Sequence, residues 1–369
     1  MASIYLHFSA WLTFAICASA QVSFNFDYSA SPEFNHPTLG PQRRLAMQDA
    51  GARLASVLNH TATIQLRVVS NSSTALASAG SEYLINGFFP GGYVRGVVQE
   101  KIITGTDLNG ARSDGTININ FSHPWDIDND IPITSFDFKS TVMHEMMHAI
   151  GFLSGIRNNG EDDWGSGVGN TGIWEVYDNF ISDANGVELI NDTTFVLDRT
   201  RWFALRGAGV NGIFFNGPNA RAANGGDPVS LWSPPVFEPF TSFSHLDDEI
   251  PSFAGLLMVT TTEAGLSARS LSAIERGILM DIGYSLNPAP PTGPVVFTGM
   301  SFDANGPQLT LTGPADSSIR IETSLFKDEP AWSLVETVHL GSGTRTASIS
   351  LNLNPSTRFF RGIVLGRTE

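Results

Sequence analysis

The sequence predicts an α+β protein in which a larger mixed domain is followed by a small all-β domain. Before residue 287, apolar residues recur at both helical and strand spacing. After residue 294, alternating runs are separated by turn residues roughly every ten positions, which is typical of a β-sandwich. The segment between them, NPAPPTGP, contains four prolines that lack an amide donor. We therefore expect a domain at 21–286, a stiff linker at 287–294 and a β-sandwich at 295–369.

The early elements of the first domain follow from their hydrophobic spacing. A helix is expected to begin near Pro41, which suits a first turn, because apolar residues recur at helical spacing as far as Leu58. Apolar and polar residues alternate over 64–68 and again over 116–121 (TININF), which predicts two strands.

The later elements combine two helices with long loops. A helix is expected over 140–150, with a glycine directly after it. Gly, Asn and Asp are frequent from 158 to 224, which predicts long loops with short elements such as 174–181. A last helix is expected over 268–282, because Ser267 can cap its start and a glycine follows its end.

Composition and charge exclude several functions. The 369 residues carry a net charge of −15, which argues against binding nucleic acid or an anionic membrane surface. Residues 1–20 combine an apolar run with a small-x-small site before Gln21, and we read them as a signal peptide of a secreted protein. No other apolar run is long enough to span a membrane. Cys17 is the only cysteine and lies inside this segment, so a metal in the mature chain must be held by His, Asp or Glu.

One motif carries recognisable chemistry, because the helix expected at 140–150 contains His144-Glu145-Met-Met-His148. Residues four apart share a helix face, so His144 and His148 can direct both imidazoles at one ion, and zinc commonly takes such ligands. Glu145 is placed to contact a water molecule at that ion. The set suits hydrolysis of an amide bond, with zinc as Lewis acid and Glu145 as the group that moves the proton.

The motif leaves open the third protein ligand that catalytic zinc normally takes. Ser154 occupies the position where a compact HExxHxxGxxH motif would have its third histidine. The candidates are His245 far downstream, Glu175 shortly after the motif, and His123 before it. A carboxylate such as Glu175 is the other common solution in zinc peptidases. His123 fits a loop near the cleft or a polar turn better than a ligand position.

Several motifs in combination resemble the leishmanolysin-type metalloproteases, which are metzincins whose third histidine is delayed by an insertion. The motifs are HEMMHAIGF at 144–152, SHLD at 244–247, Leu257-Met258, and the stretch from Leu266-Ser267 to Leu279-Met-Asp281-Ile-Gly283-Tyr284. The resemblance covers about 115–285 and implies a zincin- or metzincin-like catalytic domain. It also implies that His245 is the third zinc ligand, that Met258 forms the turn beneath the metal, and that Glu145 is the catalytic base. This family is rich in cysteine, whereas the present chain is not.

Two secondary features concern substrate and calcium. The resemblance implies that the strand at 116–121 is an edge strand, which could pair with the backbone of a bound peptide. Asp126, Asp128 and Asp130 place three carboxylates on alternate residues, a spacing that suits Ca²⁺. The run lacks the glycine and distal glutamate of an EF-hand loop, so an acidic turn is the alternative. The acidic run at 161–163 is a weaker candidate of the same kind.

These observations predict a secreted zinc endopeptidase that acts on proteins or peptides. The C-terminal β-domain has no recognisable site of its own, and we expect it to contact a surface or a polymer. Two alternatives stay open. One is a non-enzymatic secreted or surface adhesion protein on a zincin scaffold. The other is a zinc peptidase with Glu175 as the third ligand.

Overall fold

A computed structural model of the chain describes residues 21–84, 91–128, 131–165, 169–289, 296–303, 306–313, 317–324, 333–340, 346–350 and 359–367. The expected signal peptide at 1–20 and most of the expected linker lie outside the described residues. The chain divides into two compact units, one ending at Asn287 and the other beginning at Pro288. Within the described ranges there are six α-helices and several small sheets, so the protein is mixed α and β. No helix in those ranges is long and apolar enough to cross a membrane.

The first unit contains eleven strands and six α-helices among its described residues. In chain order they are β1 (Ser23–Ala30), α1 (Leu39–Val57), β2 (Thr63–Asn71), β3 (Ala77–Ser81), β4 (Gly92–Val94), α2 (Val97–Thr104), β5 (Gly115–Asn120), β6 (Trp125–Asp126), β7 (Phe136–Asp137), α3 (Phe138–Ala149), β8 (Ile173–Glu175), β9 (Ile181–Ser182), α4 (Arg199–Leu205), β10 (Phe214–Phe215), α5 (Pro218–Ala223), β11 (Val229–Ser230) and α6 (Ala273–Asp281).

The main sheet has the strand order β1-β2-β5-β3. Strands β1, β2 and β5 run parallel, and β3 pairs antiparallel with β5. The expectation that 116–121 forms an edge strand is therefore wrong, because β5 lies between β2 and β3. One edge of the sheet is β1 and the other is β3, the edge that packs against α3. The sequence of β3, ASAGS, has none of the β-branched or aromatic residues that mark a strand in a sequence.

Helices α1 and α3 pack against each other, and α3 also packs against β3. The core between these helices and the sheet contains Met47 and Leu54 of α1 and Met146 of α3, all fully buried. The inward-facing side chains of β2 and β5 join them: Ile64, Leu66, Val68, Ile117 and Ile119. This packing places the helix that carries the two histidines directly beside the edge strand.

Two expected helices have different starting points in the structure. Helix α3 begins two residues earlier than expected, because Asp137 is its N-cap and accepts hydrogen bonds from the amides of Lys139 and Ser140. Helix α6 begins at Ala273 rather than 268, because its cap is Ser272, which forms a capping box with Glu275. The hydroxyl of Ser267, expected to be that cap, donates to Asp137 instead.

The described elements of the second unit are strands. They are β12 (Val296–Asp303), β13 (Gly306–Thr312), β14 (Ser317–Ser324), β15 (Ser333–Leu340), β16 (Thr346–Ser350) and β17 (Phe359–Arg367). They form two three-stranded sheets of order β12-β13-β16 and β15-β14-β17, and every pairing is antiparallel. Five of these strands match the alternating runs in the sequence, and β12 is an additional one.

Candidate metal centre

The structure brings together His144, His148 and His245. In the described part of the chain, they are the only group of three or more potential ligand side chains close enough to hold one ion. Their Nε2 atoms are 3.0 Å (144 to 245), 3.1 Å (144 to 148) and 3.2 Å (148 to 245) apart. All three residues are buried, with 6–8% of their surface exposed.

Helix α3 supplies two of these rings from adjacent turns of one face, as the sequence spacing predicts. The third ring comes from the long segment between β11 and α6, where backbone hydrogen bonds hold His245 in place. Its carbonyl accepts from the amide of Trp232 at 2.9 Å, and the amide of the next residue, Leu246, donates to the carbonyl of Met258 at 2.8 Å. The distant histidine therefore lies on a hydrogen-bonded scaffold.

Each histidine donates its other ring N–H to a backbone carbonyl. The Nδ1 atom of His144 lies 2.7 Å from the carbonyl oxygen of Leu257, and that of His148 lies 2.7 Å from the oxygen of Phe152. The Nδ1 atom of His245 lies 2.8 Å from the oxygen of Thr241. A carbonyl oxygen can only accept, so Nδ1 carries the proton in each ring and Nε2 presents a lone pair.

Burial lowers the pKa of all three histidines, that of His245 to about 3, so the rings are neutral near pH 7. Three neutral Nε2 lone pairs therefore face one another with no proton between them. Such an arrangement is unfavourable unless a cation lies at its centre. Backbone carbonyls that accept from the far ring nitrogen are also the usual second shell of metal-bound histidines.

The spacing of the nitrogens matches a small divalent ion. A tetrahedral zinc with Zn–N bonds of about 2.0–2.1 Å would separate its nitrogen ligands by about 3.3–3.4 Å. The observed separations of 3.0–3.2 Å are slightly tighter. Three imidazoles leave a fourth position for water or substrate, as catalytic zinc sites do. The donor set fits zinc, and imidazole ligands also suit copper, iron and nickel.

Glu145 lies beside the histidine cluster on α3 and is buried, with 7% of its surface exposed. Burial raises the pKa of its carboxyl to about 8, and a hydrogen bond from the amide of Ala79 partly opposes this rise. Ala79 belongs to the edge strand β3. The acidic neighbour of the first histidine is thus held against the edge of the sheet rather than pointing into solvent.

Met258 is fully buried and lies in a segment that contacts the histidine cluster. The preceding carbonyl, that of Leu257, holds the ring of His144. The amide of Met258 donates to the carboxylate of Glu275 at 2.7 Å, and Glu275 belongs to the capping box of α6. These contacts fix the backbone around Met258, and its assignment to the turn beneath a metal stays a prediction.

The other two candidates for the third ligand lie outside the histidine cluster. Glu175 is buried, accepts a hydrogen bond from Tyr83, and caps the short 3₁₀-helix 176–180 by accepting from the amide of Asp178. His123 packs edge-to-face against the ring of Trp125, with ring centroids 6.4 Å apart. Both side chains therefore have other surroundings in the fold.

The acidic runs considered for calcium have mostly local partners. Asp126 accepts from the amide of Asp128 at 2.7 Å, which closes a turn, and Asp130 lies outside the described residues. In the second run, Asp162 accepts from the amide of Ile173 and Asp163 pairs with an arginine. Calcium binding at either run stays a prediction.

Some functional groups at this site leave no mark in the sequence. The carbonyls of Leu257, Phe152 and Thr241 and the amide of Ala79 are backbone groups, which any residue could supply. One indirect signal is Gly151, whose φ of +100° turns the chain after α3. This turn lets the next carbonyl reach back to His148.

No protein-family model matches the chain, and no curated protein sequence matches it. The resemblance to leishmanolysin-type enzymes therefore rests on the motifs alone. What the structure adds to those motifs is the meeting of the distant His245 with the two histidines of α3.

Proposed function

We propose that this protein is a zinc-dependent endopeptidase with a zincin- or metzincin-like catalytic domain. The observation that carries the proposal is the meeting of three neutral Nε2 atoms at 3.0–3.2 Å, with a buried glutamate next in sequence to one of them. His144, His148 and His245 would hold the ion. Bound zinc supplies Lewis acidity toward a substrate carbonyl and toward water.

Glu145 is the proton-transfer group in this proposal. A carboxylate at this position can take a proton from an attacking water and return it to the leaving amine. The hydrogen bond from Ala79 orients the carboxylate, and three backbone carbonyls orient the imidazoles. These residues are therefore arranged before the substrate binds, which is how a preorganised site accelerates reaction.

The edge strand β3 is the proposed docking site for the peptide backbone. It borders the main sheet, packs against α3, and carries the amide that contacts Glu145. An extended peptide can add to such an edge through main-chain hydrogen bonds. Pairing of this kind would hold the peptide beside the metal ligands with little dependence on its sequence, as cleavage of proteins requires.

The second unit is a proposed β-sandwich that contacts a surface or polymer outside the cell. Its two antiparallel sheets each contribute buried alternate residues, Leu309 and Leu311 from one and Ile319 and Ile321 from the other. Two sheets that each bury one face are the components of a sandwich. Secretion is supported by the signal-like sequence at 1–20.

The test compares wild type with Glu145→Gln and, as a matched control, Glu249→Gln, which removes an exposed carboxylate near His245. We expect about one zinc per chain in all three proteins by elemental analysis. Wild type and the control cleave casein, whereas Glu145→Gln loses about 10²–10⁴-fold in rate, the usual contribution of a general base.

Two outcomes would contradict the proposal. Casein cleavage by Glu145→Gln at the wild-type rate would remove the glutamate from the mechanism. Zinc binding without cleavage of casein or a peptide library would instead support the non-enzymatic adhesion protein.

A further inference from the structure

A cavity of about 390 Å³ lies between the start of α3 and the segment that follows Met258. One of its walls is Leu257, whose carbonyl accepts from Nδ1 of His144 at 2.7 Å. Another is Ser140, which precedes His144 by four residues of α3, or about 6 Å along the helix. The cavity therefore neighbours His144 on its Nδ1 side, within reach of a side chain of a peptide bound beside the histidine cluster.

The lining of the cavity combines apolar and polar side chains. Leu256, Leu257 and Val259 come from the segment around Met258, and Leu266 and Ala268 come from the chain leading to α6. The chain leading to α6 is attached to α3, because the amide of Ala268 donates to the hydroxyl of Ser140 at 3.1 Å. A long aliphatic stem would bury its surface along these residues.

Two carboxylates line the same cavity, those of Asp248 and Glu263. The Oδ2 atom of Asp248 accepts from the hydroxyls of Thr260 and Thr261, at 2.6 and 2.9 Å, which fixes the orientation of the group. Among the ion pairs of the described residues, neither carboxylate has a basic partner. Arg269, close in sequence, is already paired with Asp137 at 2.6 Å.

We propose that this cavity selects lysine or arginine in the peptide, and this inference rests on the proposed peptidase function. The stem of the side chain lies along the leucines and is buried there. Its charged end lies near Asp248 and Glu263 and stays partly hydrated. Acidic side chains are repelled. The substrates would then be basic proteins or peptides, consistent with the net charge of −15.

Binding is measured with the inactive Glu145→Gln variant in its zinc-loaded full-length form. The probes are fluorescein-labelled decapeptides of alanine and glycine that differ at a single position, which is lysine, norleucine or glutamate. Norleucine keeps the aliphatic stem and removes the charge. Fluorescence anisotropy gives each affinity, first in this background and then with Asp248→Asn, Glu263→Gln or the control Glu249→Gln added.

We expect the lysine peptide to bind about two- to fivefold more tightly than the norleucine peptide for each carboxylate present, the range of partly exposed ion pairs. Asp248→Asn and Glu263→Gln each reduce this preference, and Glu249→Gln leaves it unchanged. Equal affinity for lysine and norleucine overturns the cavity assignment, as does a lysine preference that survives both substitutions.

Cleavage of the same peptides by wild type separates this inference from the function on which it rests. Cleavage without a preference for the lysine peptide overturns the cavity assignment alone. Absence of cleavage of any peptide by the zinc-loaded wild type overturns the peptidase proposal, and the cavity then loses its role in substrate selection.

Discussion

Replacing His245 with alanine removes one of the three nitrogens that meet at 3.0–3.2 Å. Four-ligand structural zinc sites bind with about 10–16 kcal/mol, so one ligand contributes about 2.5–4 kcal/mol if the ligands share that energy evenly. This corresponds to a loss of about 10²–10³-fold in zinc affinity. We expect the metal-free variant to fold, because the substitution also removes one of three nitrogen lone pairs that repel one another when no ion is bound.

The assay is competition for zinc against a chromophoric chelator, with far-ultraviolet circular dichroism to check folding. His123→Ala serves as the matched control, since it removes a histidine that packs against Trp125, away from the cluster. Glu175→Gln tests the alternative ligand. Wild-type zinc affinity in His245→Ala, or a loss of affinity in Glu175→Gln alone, would refute the assignment of the third ligand.

Two further predictions concern stability, each measured by urea unfolding. Burial raises the pKa of the Asp178 carboxyl to about 7, so the protonated group stabilises the fold below about pH 4 and this contribution is lost as pH rises through 7. Asp178→Asn should remove a decline of about 4 kcal/mol in the free energy of unfolding over that range. An unchanged dependence of this free energy on pH would contradict the prediction. Arg269→Met should cost about 3–5 kcal/mol because it removes the cationic partner of the fully buried Asp137 carboxylate. Most of the loss should be recovered when Asp137→Asn is added, and a cost below about 1 kcal/mol would contradict the pairing.

The sequence is most informative where the chemistry is local. The spacing of His144 and His148 predicts a shared helix face, and the structure confirms that face. The motif resemblance selects His245 from three candidates, and the structure places this residue, rather than Glu175 or His123, with the other two. A spacing rule could not make that choice, because the contact joins residues far apart in the chain.

The helix boundaries show which local signals compete. Ser267 and Ser272 both precede the apolar stripe of α6, and only Ser272 has a glutamate three residues later to complete a capping box. That pattern is readable in the sequence and identifies the true cap. Ser267 instead contributes its hydroxyl to Asp137, a contact between distant segments that no local pattern reveals.

The position of the edge strand could not be read from local patterns. The segment 116–121 has clear alternation and β3 has almost none, yet β3 forms the edge and contacts Glu145. Strand order depends on pairing between distant segments, and small residues such as those of β3 carry weak strand preference. The same limit applies to the backbone carbonyls that orient the histidines.

Anomalous diffraction from crystals of the full chain, recorded on both sides of the zinc absorption edge, locates the metal itself. The proposed centre requires one zinc peak about 2.0–2.1 Å from Nε2 of His144, His148 and His245, with open space at the fourth position. Absence of a zinc peak from zinc-loaded crystals, or a peak that lacks His245 as a ligand, would contradict it.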